Sequence, residues 1–130
     1  RHLLTHTSGI KSYSSLDGFE LNRRLTRDAF IKQLAAQPLD FETGSRYSYN
    51  NSGYNLLGYI IESVSGVNYW DFMRERVFRP LGMTRTADRD PQYVIKNRAT
   101  GYEWRAGRLV GRDYDLTDIF AAGAIVSTVM

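Results

Sequence analysis

Tyr47-Ser48-Tyr49-Asn50-Asn51-Ser52-Gly53-Tyr54-Asn55-Leu56-Leu57-Gly58-Tyr59-Ile60-Ile61-Glu62 runs from a polar, aromatic loop into the strongest helical signal of the chain. Leu56, Leu57, Ile60, Ile61 and Val64 recur at helical spacing and predict a helix over about residues 52–65. Gly66 supplies its stop, since glycine takes the left-handed conformation that closes a helix. At the helix start, Tyr49 and Asn51 stand two positions apart in a tight loop, where both can aim at one cavity. A phenol can exchange a proton, and a carboxamide can both donate and accept. Spacing alone leaves a structural alternative for each: Tyr49 as an aromatic anchor packing the loop onto the helix, Asn51 as the helix N-cap.

Upstream, Thr26 reads as the N-cap of a helix reaching Gln37, with Asp28 in its first turn, Phe30, Ile31 and Leu34 on one face, and Pro38 as the stop. Residues 1–25 are rich in Ser, Thr, Gly and Tyr and read as loop with one short turn at the start. Downstream, Asn68 caps a third helix to Phe78, with Asp71 placed as in a capping box and Trp70, Met73 and Val77 sharing a face; Pro80 and Gly82 close it. Residues 84–97 read as irregular. Thr100, Tyr102 and Trp104 then alternate with Gly101, Glu103 and Arg105, and Gly107 sits at a turn before Leu109-Val110, which predicts a β-hairpin. Residues 112–122 read as loop, and Gly123-Ala124 as the approach to a helix that Ser127 or Thr128 would cap. The fold class is therefore mainly α with a small β-hairpin, an α+β arrangement.

At 130 residues, 42% hydrophobic and 24% charged, the chain fits one domain with a packed core. No apolar run approaches bilayer length, so no transmembrane segment is expected, and the N-terminus lacks the pattern of a signal peptide. The net charge is +3 and the pI about 9.3. Its densest basic group, Arg23-Arg24 with Arg27, lies beside Glu20 and Asp28, which reads as solvated surface charge, not as a nucleic-acid patch. The absence of cysteine excludes disulfides and thiolate metal sites. Both ends read as cuts from a longer chain: the first residue is Arg1, and the last residues are a helix cap with no helix to cap.

Two short motifs are weak. His2-Leu3-Leu4-Thr5-His6 has the histidine spacing of a zinc helix, but Leu3 stands where the metalloprotease motif needs a glutamate, and no nearby carboxylate completes a ligand set. No metal site is expected. Ser8-Gly9-Ile10-Lys11 matches Ser-x-x-Lys, a nucleophile motif that works because a helical turn brings the lysine beside the serine. Gly9 and the run Ser12-Tyr13-Ser14-Ser15 disfavour helix, so a polar turn is expected.

Several blocks together resemble the class C β-lactamase and penicillin-binding-protein-like superfamily. Arg1 to Ile10, with its His-Leu-Leu-Thr-His-Thr-Ser-Gly, looks like the segment that follows the family's nucleophile helix. Phe41 to Gly44 is similar to the run into its Tyr-x-Asn motif, which Tyr49-Asn50-Asn51 matches. Ser52 to Gly66 looks like the helix behind that motif, Val77-Phe78-Arg79-Pro80-Leu81-Gly82-Met83-Thr84 resembles Phe-x-Pro-Leu-Gly-Met, and Ala121 to Thr128 is similar to Ala-Gly-Gly-hydrophobic-x-Ser-Thr, with Ala124 for a usual glycine.

The resemblance implies that residues 1–130 are part of a β-lactamase-like domain, its helical subdomain, lacking most of the central antiparallel sheet. The family's Ser-x-x-Lys lies upstream of the His-Leu-Leu-Thr-His block and its Lys-Thr-Gly element downstream, so neither is expected here. The implied reaction is acyl transfer through a serine ester, on β-lactams, D-alanyl peptides or carboxylic esters. Tyr49 and the absent lysine would together move the serine proton, and Asn51 would hold that lysine and the substrate amide. A phenol titrates near about 10 in water and needs a nearby cation to act as a base. Lys11, Ser12 and Tyr13 would line the rim by family position. The longer protein would take a small-molecule or peptide substrate, need no cofactor, and belong to the periplasm or cell envelope. The 130 residues alone would be inactive and would self-associate through exposed core surface. The alternative is a relative that kept the fold as a binding or scaffold protein and lost the chemistry.

Overall fold

The structure, a computed structural model, describes residues 1–16, 25–90, 92–113 and 115–128. Glu20, Arg23 and Arg24 lie outside the described residues. Helix α1 spans Arg27–Ala35, α2 Asn51–Ser65 and α3 Tyr69–Met73. Strands β1 (Ala87–Asp88), β2 (Gly101–Arg105), β3 (Arg108–Arg112) and β4 (Ile125–Val126) complete a mainly helical α+β arrangement.

The helix ends follow the expected chemistry, with shifts. The Thr26 hydroxyl accepts from the Ala29 amide at 3.3 Å and starts α1, which stops at Ala35, two residues before Gln37. Helix α2 is capped by Asn50, not Asn51: Asn50 Oδ1 accepts from the Gly53 amide at 3.1 Å while Asn50 stays extended, and Asn51 is already helical. Gly66 closes α2 at φ 73°. The α3 cap is Asn68, whose side chain accepts from the Trp70 amide, but the expected capping box is absent. Asp71 instead takes Arg74 Nη1 at 2.7 Å, and Glu62 of α2 reaches over to accept the Tyr69 amide at 2.9 Å. Beyond Met73 the helix widens to π geometry over Arg74–Phe78, and the Arg79 amide bonds Arg74 O five residues back.

The hairpin forms as expected. Tyr102 faces Gly111 and Trp104 faces Leu109 across antiparallel β2 and β3. Ala106 and Gly107 both have positive φ, 49° and 73°, which gives the strands a two-residue turn that matches their twist. Glu103 pairs with Arg105 and Arg112 on the other face.

Long-range packing adds features that the sequence pattern did not show. Residues 84–97 contain β1, which pairs with β4 through Ala87–Val126 and Asp88–Ile125. The segment that reads as an approach to a helix is thus strand at Ile125–Val126, and the Ser127 hydroxyl bonds Thr86 at 2.7 Å. Residues 112–122 are not all loop, since Thr117–Ala122 forms 3-10 turns kinked at Phe120 (φ 43°, ψ −120°). Finally, the apolar stripe of α2 is not its best-packed face: Val64 is 84% exposed and Ile60 is exposed, whereas Ser52, Gly53, Asn55 and Gly58 are buried. That small-residue face lets residues 117–122 approach so closely that a Cβ on Gly58 would meet Ala121 and Phe120 at 2.6 Å.

The core has two parts joined along α2. Tyr13, Leu16, Phe30 and Leu34 cluster with Ile10, Leu25, Leu56 and Tyr59 packed against them. Phe120 fills a second cluster, stacked on Tyr59 at 5.0 Å and set against Tyr69 at 4.9 Å and Trp70 at 6.1 Å. Its unusual backbone costs on the order of 1–3 kcal/mol, within what burying one aromatic ring and its ring contacts returns.

Candidate active site

The loop before α2 is laced to the first twelve residues, which fixes where its side chains project. The Gly44 amide donates to Thr7 O at 2.8 Å, Ser48 to His6 O at 2.8 Å and Asp40 to Gly9 O at 2.8 Å, and the Thr43 hydroxyl donates to Ser8 O at 2.9 Å. Gly9 is required at this crossing: its φ is +75°, and a Cβ there would lie 2.2 Å from Phe41 O.

Asn50, between the two expected site residues, is the anchor. It is buried, caps α2 through Oδ1, donates through Nδ2 to Ile10 O, and its amide donates to His6 Nδ1 at 3.1 Å. Its two neighbours therefore leave the loop from a fixed point. Tyr49 projects outward, 63% exposed, with its ring 4.6 Å from that of His6. The His6 ring also stacks on Tyr54 at 5.0 Å and meets the edge of Tyr47 at 5.7 Å.

The Asn51 side chain hydrogen-bonds the Tyr13 phenol. Burial raises the Tyr13 pKa, against the opposing pull of the Asn51 bond, and the nearby Asp118 and Tyr49 raise it further. Tyr13 thus keeps its proton as it packs on Phe30 at 5.8 Å, and its backbone amide donates to the buried Ser52 hydroxyl at 2.7 Å. Tyr13, Tyr49, Asn51 and Asp118 form one neighbourhood, of which sequence reasoning named the first three in two unconnected groups.

The remaining rim candidates go elsewhere. Lys11 Nζ pairs with Asp40 Oδ1 at 3.0 Å, and the Ser12 hydroxyl bonds that of Ser14 at 2.8 Å. Ser8 and Lys11 do not share a helical turn: Ser8 is buried, with its hydroxyl 3.4 Å from the Ile10 amide. His2 Nδ1 bonds the Thr7 hydroxyl at 2.9 Å while His6 Nδ1 takes the Asn50 amide, so the two histidines hold different loops. Among the described residues no three His, Asp or Glu side chains gather as metal ligands, and no helix is long and apolar enough to cross a membrane.

Sequence reasoning missed His6 and Asn50 as parts of this site. Asn50 carried a signal, since Asn is a strong N-cap residue one position before a helix. His6 carried none beyond its place in the His-Leu-Leu-Thr-His block, because its partners lie 44 residues away.

The family model described as Beta-lactamase matches residues 1–130. Serine beta-lactamase-like protein LACTB, mitochondrial, from Homo sapiens is 39% identical over 94 residues, covering 71% of this chain and 17% of that protein. Among solved structures, a penicillin binding protein from Bacillus halodurans shares 33% identity at a TM-score of 0.70, over 85% of this chain and 35% of that one. D-amino acid amidase from Ochrobactrum anthropi SV3, complexed with L-phenylalanine amide, shares 31% identity at a TM-score of 0.77, over 97% of this chain and 38% of that one. The chain spans less than two fifths of the length of each of these relatives.

Proposed function

Because the chain belongs to the β-lactamase family of serine hydrolase-like proteins, we propose that it supplies the Tyr-x-Asn side of an acyl-transfer site whose serine, lysine and most of whose sheet belong to the rest of a longer protein. The observation that carries this is the division of labour at residues 49–51. Asn50 is buried and triply bonded, which leaves the Tyr49 phenol exposed on a fixed loop and Asn51 beside it.

In this mechanism the serine hydroxyl attacks the substrate carbonyl and gives up its proton to the Tyr49–lysine pair as the C–O bond forms. The same pair returns that proton to the leaving nitrogen or oxygen as the old bond breaks, which leaves an acyl ester. Water then adds to the ester by the same route, and the acid departs. Asn51 orients the substrate by donating to and accepting from its amide. The D-amino acid amidase likeness favours amides and esters of D-amino acids as substrates, alongside lactams.

The test is Tyr49→Phe in the full-length protein, with acylation followed by a chromogenic ester, nitrocefin and a D-amino acid anilide. General acid–base catalysis contributes roughly 100-fold to 10,000-fold, so acylation falls by at least about 100-fold. Retention of the rate within threefold would remove Tyr49 from the chemistry.

A further inference from the structure

We propose that His6 is a positioning residue for Tyr49, acting through the acceptor lone pair on its Nδ1. This deepens the catalytic reading of Tyr49 and rests on it. Two bonds from one residue bracket Tyr49 in the chain: His6 O accepts from the Ser48 amide at 2.8 Å, and His6 Nδ1 accepts from the Asn50 amide at 3.1 Å. Both are needed to fix the backbone direction from which the Tyr49 side chain leaves.

The ring adds a wall. Tyr49 lies against one side at 4.6 Å and Tyr54 stacks at 5.0 Å, with Tyr47 edge-on at 5.7 Å. Tyr54 is itself tethered, its phenol donating to Leu4 O at 3.2 Å, two residues before His6. An acceptor at Nδ1 requires a neutral ring with its one proton on Nε2, which sets the tautomer.

The backbone makes the same point. His6 has φ 54°, a left-handed conformation that costs a residue with a Cβ about 1–2 kcal/mol and that glycine would relieve. A glycine there would give up the Nδ1 acceptor. Of the other uncharged side chains, asparagine combines tolerance of this conformation with an acceptor at the δ position. That combination gives a specific rescue. Displacing a reacting group by even about 1 Å costs on the order of 100-fold, so a loop loosened at Asn50 shows in turnover rather than in substrate affinity.

The experiment compares wild type, His6→Phe, His6→Asn and Tyr49→Phe in the full-length protein, measuring kcat and KM with p-nitrophenyl acetate, nitrocefin and D-phenylalanine p-nitroanilide. Circular dichroism confirms that each variant is folded. His6→Phe keeps an aromatic ring but strands the Asn50 amide, and its kcat is expected to fall about tenfold or more with KM within threefold. His6→Asn restores an acceptor, and its kcat is expected to stand at least fivefold above that of His6→Phe. Folded His6→Phe with a wild-type kcat, or His6→Asn no faster than His6→Phe, overturns the positioning role while a collapsed Tyr49→Phe leaves the catalytic reading standing. Wild-type turnover by Tyr49→Phe sinks both.

Discussion

Replacing Asn55 with Ala tests whether the second half of the chain is held to α2 by one buried amide. Asn55 is 0% exposed. Its Nδ2 donates to Asp118 O at 3.0 Å and its Oδ1 accepts the Ala122 amide at 3.2 Å, so one side chain ties down both ends of the 117–122 segment. Truncation strands two backbone groups in a water-poor contact. Each stranded group costs about 1–3 kcal/mol, or roughly 2–6 kcal/mol for the pair. Alanine is the better helix former by about 0.5 kcal/mol, which offsets little of this. The net loss of about 2–5 kcal/mol is a large part of the total stability of about 5–15 kcal/mol that folded proteins carry. Urea denaturation followed by tryptophan fluorescence measures it, since Trp70 packs on Phe120 of the anchored segment. The midpoint is expected to drop by on the order of 1 M with m unchanged. Asn55→Asp gives a directional control: it keeps the acceptor for Ala122, but as a carboxylate has no donor for Asp118 O. Burial raises the pKa of such a carboxyl in the folded state, so the stability of this variant relative to wild type improves as pH falls and worsens as pH rises. A loss below about 0.5 kcal/mol for Asn55→Ala would refute the claim that these two bonds hold the segment.

Ala106→Asn is expected to stabilise the β2–β3 turn by about 0.5–1 kcal/mol, because Ala106 sits at φ 49° where asparagine is better tolerated; an unchanged urea midpoint would count against the turn assignment. Burial first, then the charges of Glu62 and Asp118, push the Tyr59 pKa from 10.0 up to about 12, with Arg27 opposing. The folded state therefore holds this proton more tightly than the unfolded chain: the contribution is complete below about pH 10 and is lost as pH rises from 10 toward 12. Tyr59→Phe should flatten the alkaline limb of stability against pH, and an identical limb in both proteins would show that other groups set it. The 130-residue chain alone is expected neither to hydrolyse nitrocefin nor to form a covalent adduct with a labelled penicillin; mass-spectrometric detection of an adduct on Ser8 would reverse the dismissal of Ser8-Gly9-Ile10-Lys11 as a nucleophile motif.

The elements most legible in the sequence were those whose signals are local. The Thr26 and Asn68 caps, the Gly66 stop and the hairpin around Gly107 each depend on a few neighbouring residues, and each stands where its residues predict. The α2 stripe predicted the helix that forms at Asn51–Ser65 but not its buried face, because periodicity reports which face is apolar, not which face meets a neighbour. The face that meets residues 117–122 is made of Ser52, Asn55 and Gly58, whose value lies in small size and a buried amide. Strands β1 and β4 are two residues each, too short for any alternating pattern, and exist only because segments far apart in the chain run side by side.

For the site, the sequence by itself determined that a phenol and a carboxamide flank a helix start, and ordered motif blocks determined the family, because residue chemistry and spacing are written along one dimension. Only the tertiary structure decided that Asn50, not Asn51, caps the helix, that Tyr13 joins Asn51, and that His6 grips the loop. Each of those depends on two segments being brought within hydrogen-bonding distance, and no pattern along either segment encodes its distance from the other.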